Sequence, residues 1–283
     1  MSEITDKIAS DMLKTGFVSE MKAAQIMLER GWSCQVSPTY EDLDSGLTRE
    51  YDLRASRMKT GSSRIDNTLY VALDLCIEIK KTKTPWVVLK TSESSAASTR
   101  LLPEYGHLHT YENLSVQDVE FSGRYFGDAP WNRLGWYGYG IHDAFKAQDA
   151  NSVSYAALVT ASKAAFESWN WTTDEFFPDW AKRHQYVSSH EAVPRMFIAK
   201  PVVVVDNDLF SAELRTDGAL DVKQISWANI HFRFGTPRYT QKSFAVHVVT
   251  LAALSEYCAH MEEFEASLFK RLCSDFRASR RKK

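Results

Sequence analysis

The run TLYVALDLCIEIKK, residues 68–81, constrains this chain more than any other stretch. A polar stretch, KTGSSRIDN (59–67), precedes it, and after TKT a second apolar run, PWVVLK (85–90), reads as another strand. A segment so apolar reads as a strand buried in a sheet, yet its end carries charge. Glu78 and Lys80 interrupt Cys76, Ile77 and Ile79 at a spacing of two, which places both charged side chains on one face of a strand. That pattern has two readings. One is a solvent-facing strand edge, where Glu–Lys alternation is common. The other is a metal site with a lysine beside the reacting group.

Composition narrows the setting. The 283 residues are 44% hydrophobic and 25% charged, the balance of a soluble globular protein able to bury a substantial core. With no internal repeat and no clear linker, one domain with insertions, 1–283, is preferred to two. A formal net charge of −2 argues against coating nucleic acid by bulk charge, but not against a local basic groove. No stretch approaches the roughly 20 apolar residues of a membrane span, and MSEITDKIASDMLK lacks the apolar core of a signal peptide. Cys34, Cys76, Cys258 and Cys273 form no CxxC pair. Zinc spacing is therefore absent, and reduced cysteines in a cytoplasmic protein are the expectation.

The remaining segments arrange around that strand. GFVSEMKAAQIMLERGW (16–32) reads as an amphipathic helix with Phe17, Met21, Ala24 and Leu28 as its stripe and Gly31 at its end. SCQVSPTY (33–40) reads as a short strand, EDLDSG (41–46) as a hairpin turn, and LTREYDLRASRM (47–58) as an alternating strand. SESSAAST (92–99) signals a loop, and 100–150 is an aromatic-rich insertion, densest at WNRLGWYGYG (131–140). A helix is expected at 152–169 with Ser152 as its cap, and a strand, turn and second strand across 201–214. A long C-terminal helix, 250–272, carries a stripe of Leu254, Tyr257, Cys258, Met261, Phe264 and Leu268, followed by a basic tail, 277–283.

Asp52 shifts the balance toward the metal site. In REYDLRA, Glu50, Asp52 and Arg54 share a face. If this strand pairs with 68–81, Asp52 can lie across from Glu78. Two carboxylates that close repel unless a cation sits between them. Oxygen ligands without sulfur favour Mg²⁺ or Mn²⁺ over zinc, and Lys80 could hold a polarised water or meet charge developing on a phosphate.

An aspartate on one strand, Glu-x-Lys on the next, and an acidic helix before both resemble the PD-(D/E)XK nuclease superfamily. Asp52 matches the aspartate, Glu78, Ile79 and Lys80 match E-x-K, and Glu20 matches the helix glutamate that many members use as an added metal ligand. Tyr51 stands where the pattern's proline would be. The motif-bearing part is 16–90, and GFVSEMKAAQIMLERGW, REYDL and IEIKKTKTPWVV together look like a bacterial subgroup. The resemblance implies an α/β fold, a restriction-endonuclease-like mixed β-sheet flanked by helices. It implies divalent-metal-dependent endonuclease activity on nucleic acid, DNA before RNA, and a place in phage defence. Mg²⁺, with Mn²⁺ as substitute, would be held by Glu20, Asp52, Glu78 and the Ile79 carbonyl, with Lys80 orienting the attacking water. The alternative is an inactive module of this fold that binds nucleic acid or a partner protein.

Other residues carry more than one reading. Glu50 either touches the metal or pairs with Arg49 or Arg54. Lys81 and Lys83 either meet the phosphate backbone or solvate a strand end. His107 and His109 share a face without a third ligand nearby. Aromatics of 131–139 could stack on bases or pack as core. Lys163 could face the site. Arg277, Arg280, Arg281, Lys282 and Lys283 could attract nucleic acid or simply aid solubility. Cutting both strands of a duplex would need two sites, hence a homodimer or partner subunit, with the Leu254–Leu268 stripe as a contact or as core packing.

Overall fold

A computed structural model describes residues 3–63, 67–90, 106–109, 137–146, 152–176, 195–239 and 243–281. The 92–99 loop, the aromatics at 131–136 and Lys282–Lys283 lie outside the described residues.

The elements begin with helices α1 (Glu3–Met12) and α2 (Phe17–Glu29) and strands β1 (Ser33–Val36), β2 (Thr39–Asp42) and β3 (Leu47–Glu50). Strands β4 (Leu53–Ser63), β5 (Asn67–Lys81) and β6 (Trp86–Lys90) follow, then β7 (Gly106–His109), β8 (Tyr137–Gly138) and β9 (Gly140–Asp143). After helix α3 (Val153–Phe176) come β10 (Arg195–Asp206), β11 (Leu209–Leu214), β12 (Leu220–Ile225), β13 (Trp227–Arg233) and β14 (Ser243–Thr250). A 3₁₀ turn, Leu251–Ala253, leads into helix α4 (Leu254–Arg281). The expected 47–58 strand is therefore broken at Tyr51–Asp52, the expected 250–272 helix starts later and runs further, and α1 was not anticipated.

The protein is mixed α/β. Its large sheet runs β1-β4-β5-β10-β14-β13-β8, with β7 also paired to β10. A smaller sheet runs β12-β11-β6-β9, and β2 and β3 form a hairpin. β4 is antiparallel to β5, whereas β10 runs parallel to β5 from Arg195 opposite Tyr70 to Asp206 opposite Lys81. Parallel neighbours need a crossover, and α3 lies within it.

β5 is buried on both faces, as a strand beside a parallel partner usually is. Val71, Leu73, Leu75, Ile77 and Ile79 pack under α2 and α4, while Cys76 packs with Tyr40, Tyr51, Ala164 and Ala165 on the α3 side. The α4 stripe, Leu254 to Leu268, is consumed in the first of these cores, which removes it as a subunit contact. The four cysteines are free thiols.

The expected inward face of α2 is corrected. Ser19, Ala23, Ala24 and Met27 are buried. Phe17, Met21 and Leu28 are 58%, 64% and 57% exposed and line an open groove of about 630 Å³. Small alanines let the helix backbone approach the sheet, and that outweighs burial of the larger side chains.

The two sheets meet where Gly138 passes over β6. A β-carbon at 138 would lie 2.3 Å from Val88 Cγ1 and 3.3 Å from the Leu89 carbonyl oxygen. Gly138→Ala is therefore expected to cost about 1–3 kcal/mol by overpacking, read as a lower midpoint in urea unfolding.

Candidate functional site

The strand break at Tyr51–Asp52 builds the site. The β4–β5 register sets Leu53 opposite Ile77, so its continuation brings Asp52 opposite Glu78. There the main-chain ladder gives way to a side chain: the Ile79 N–H donates to Asp52 Oδ2 at 2.5 Å. Two main-chain bonds hold this corner, Ser37 N–H to the Asp52 carbonyl and Tyr51 N–H to the Pro38 carbonyl, each 3.0 Å. Ser37 adopts a left-handed φ of 52° in the short link between β1 and β2.

Glu78 points to the α3 face and is 7% exposed. Lys80 Nζ lies 2.5 Å from Glu78 Oε1 and 3.6 Å from Asp52 Oδ2. The ammonium thus bridges the two carboxylates. Glu78 Oε2 is buried with no hydrogen-bond partner among the described residues. An orphaned buried carboxylate oxygen is costly, and such groups are enriched where a water or ion belongs.

The charges respond accordingly. Burial pushes the Glu78 carboxyl up to about 7; the Lys80 ammonium opposes this, and the Asp52 and Glu20 charges reinforce it. Burial pulls Lys80 down, but Glu78 and Asp52 more than offset it and leave its pKa above the ordinary lysine value. Burial raises Glu20, as do the charges of Asp52 and Glu50, while Lys80 works against them. Glu20 therefore shares the field of the site from the first turn of α2. Tyr40, on β2, is 5% exposed, and its hydroxyl is pushed up to about 12 by burial, then by the charges of Asp42 and Glu78.

The remaining candidates go elsewhere. Glu50 is exposed, and the arginines expected to pair with it take other partners. Arg49 Nε lies 4.0 Å from Asp42 Oδ2, and Arg54 grips Asp74 through Nε at 2.8 Å and through Nη2. Lys81 Nζ donates to the Leu13 carbonyl at 2.5 Å, and Lys83 is exposed. Lys163 does not face Lys80. Its ammonium binds Asp42 Oδ1 at 2.7 Å and Asp44 Oδ2 at 2.8 Å and stands over the Tyr239 ring, tying the β2–β3 hairpin to α3. His107 and His109 lie on β7, opposite Phe197 and Arg195 of β10. Arg277 is exposed on α4, with Arg280 and Arg281 in its last turn.

Sequence reasoning missed Ser19 and Asp206. Ser19 Oγ donates to Asp206 Oδ2 at 2.5 Å across 187 residues, and no local pattern signals such a pair.

Among the described residues, no three His, Cys, Asp or Glu side chains stand close enough together to hold a metal ion. The donor set nevertheless suits a hard divalent cation. Asp52 and Glu78 present oxygen only, and Glu78 Oε2 is an unused acceptor. Such a cation would replace Lys80 as the charge between them.

No protein-family model, no curated protein and no solved structure matches this chain.

Proposed function

We propose that this protein is a Mg²⁺-dependent nuclease of the PD-(D/E)XK type, with a restriction-endonuclease-like core. The observation that carries the reading is the meeting of Asp52 and Glu78 on one lysine, Lys80, beside the unused Glu78 Oε2. The order helix α2, β4, β5, α3, β10 supports it further, with the aspartate just before β4 and Glu-x-Lys at the end of β5.

Asp52 and Glu78 would hold the cation, with the Ile79 carbonyl beside them; Glu20, the further ligand the resemblance implies, does not stand close enough to make a three-carboxylate group with them. When bound, Mg²⁺ supplies charge that polarises the scissile phosphate. Lys80, released from the two carboxylates, orients a water for attack on phosphorus. A P–O bond forms to the water as it gives up a proton to solvent, the bond to the leaving sugar oxygen breaks, and that oxygen takes up a proton from solvent. Lys80 also faces the negative charge that builds on the phosphate oxygens, the kind of contact that gains strength in the transition state.

A second reading is a binding module without chemistry. It is favoured by the contacts of Lys80, whose ammonium is engaged by both Glu78 and Asp52. One experiment separates the two. Purified protein is incubated with duplex DNA, single-stranded DNA and RNA, with Mg²⁺ or with chelator. Mg²⁺-dependent cleavage, DNA before RNA, is the expected result. Binding to any of these without cleavage in Mg²⁺ or Mn²⁺ would establish the module instead.

A further inference from the structure

The N-terminal helices leave apolar surface in solvent. Residues 4–11 of α1 are all exposed, Ile4 at 65% and Ile8 at 56%. Ile4, Ile8 and Met12 follow one another at intervals of four, along one stripe of the helix. A ten-residue helix is marginal in water, and helices in proteins take most of their stability from packing such a stripe. The same chain carries a groove of matching kind. Phe17, Met21, Ala24 and Leu28 recur along α2 at spacings of four, three and four, the seam of paired helices. With Val36 of β1 they line the open groove, and all of them but Ala24 are exposed. Met12 lines it too, so α1 emerges from the groove's own mouth.

Length and charge fit the one to the other. At about 1.5 Å per residue, α1 is about 15 Å long and α2 about 20 Å, so one lies along the other. The charged residues lining the groove, Glu20 and Glu29, are both acidic. On α1, Lys7 and Asp11 border the apolar stripe one turn apart. An α1 laid antiparallel along α2 of a second copy, with Lys7 level with Glu20, brings Asp11 level with Gly16. Gly16 gives α2 no side-chain cap, and the positive end of a helix favours a carboxylate there. In that register Ile8 falls between Phe17 and Met21, and Ile4 between Met21 and Ala24.

We propose that two copies of this chain exchange α1, each seating it antiparallel in the α2 groove of the other to form a homodimer. Every copy carries both the helix and the groove, so the exchange is reciprocal and closes under a two-fold axis. It also covers an apolar surface of the kind that soluble monomers rarely expose. The contact differs from the α4 stripe, which the core consumes. Ser37 lines the groove and its amide holds the Asp52 carbonyl, so the interface adjoins each Asp52–Glu78 site. The dimer stands whether or not that site binds metal.

Sedimentation equilibrium of the full-length protein tests it without any substrate. The parent is expected to be a dimer at about 10 µM. Ile8→Asp and Met21→Asp are each expected to give a monomer there. Both side chains are exposed in the protomer, so each variant should remain folded by circular dichroism. Lys7→Glu is expected to weaken the dimer about 10-fold by setting like charges together, and Glu20→Lys added to it should restore the parent affinity. Leu220→Asp, at an exposed apolar residue of β12, serves as the control and should leave the dimer intact. A parent that stays monomeric up to about 100 µM would leave this face to a different partner and overturn the proposal. A dimer that survives Ile8→Asp and Met21→Asp, or that Leu220→Asp dissolves, would place the contact elsewhere and overturn it as well. A dimer that Lys7→Glu weakens and Glu20→Lys fails to restore would overturn the antiparallel seating.

Discussion

Lys80→Ala is expected to cut nucleic acid about 10²–10³-fold more slowly than the parent protein, while remaining folded and still binding its substrate. In the proposed mechanism the ammonium meets charge that exists only as the phosphate is attacked, so its loss would fall on the rate more than on ground-state affinity. Truncation also leaves Glu78 buried without its 2.5 Å cation, which favours the neutral acid over the carboxylate. The fold therefore tolerates the change, and the comparison belongs at about pH 8 with saturating Mg²⁺, where cation binding keeps Glu78 ionised. Single-turnover rates give the answer, with circular dichroism confirming structure. Cleavage at the parent rate would reduce Lys80 to a charge on a strand edge.

Glu78 is expected to impose a pH dependence on stability that Glu78→Gln abolishes. Its folded pKa, about 7, lies above the ordinary 4.5. Between those values the folded protein keeps a proton that the unfolded chain has released, so stability falls as pH rises through that window. The separation from 4.5 to about 7 corresponds to roughly 3 kcal/mol, fully lost above pH 7 in the absence of a divalent cation. Urea unfolding of parent and variant across this range isolates the effect, because every other titrating group is common to both. Parallel pH curves for the two proteins would show that Glu78 is not strained by its burial. Added Mn²⁺ should remove the parent's loss, since a cation binds the carboxylate form.

Much of this was legible because β5 is long and its pattern simple. The 68–81 run marks a buried strand, and Glu78 and Lys80 declare a shared face by their spacing alone. Asp52 was legible as an acid within a strand, but not as the residue at which that strand breaks. The break depends on Ser37, Pro38 and the Ile79 amide, none of which is periodic. The orientation of α2 was not legible. Its largest apolar residues, Phe17, Met21 and Leu28, form the obvious stripe, yet Ala23, Ala24 and Met27 face the core. Among the contacts that hold α2 is a serine meeting an aspartate 187 residues away, and periodicity carries no information about such a contact. Lys163 illustrates the same limit. A helix lysine can point to a site or to a hairpin, and only tertiary structure brings Asp42 and Asp44 to it.

The most direct measurement is an anomalous difference map from crystals grown with Mn²⁺. The expected result is a peak between the Asp52 and Glu78 carboxylates, about 2.0–2.6 Å from their oxygens, with Lys80 Nζ withdrawn from both. A map with no peak there at saturating Mn²⁺, and with Lys80 still 2.5 Å from Glu78 and 3.6 Å from Asp52, would contradict a metal-dependent nuclease.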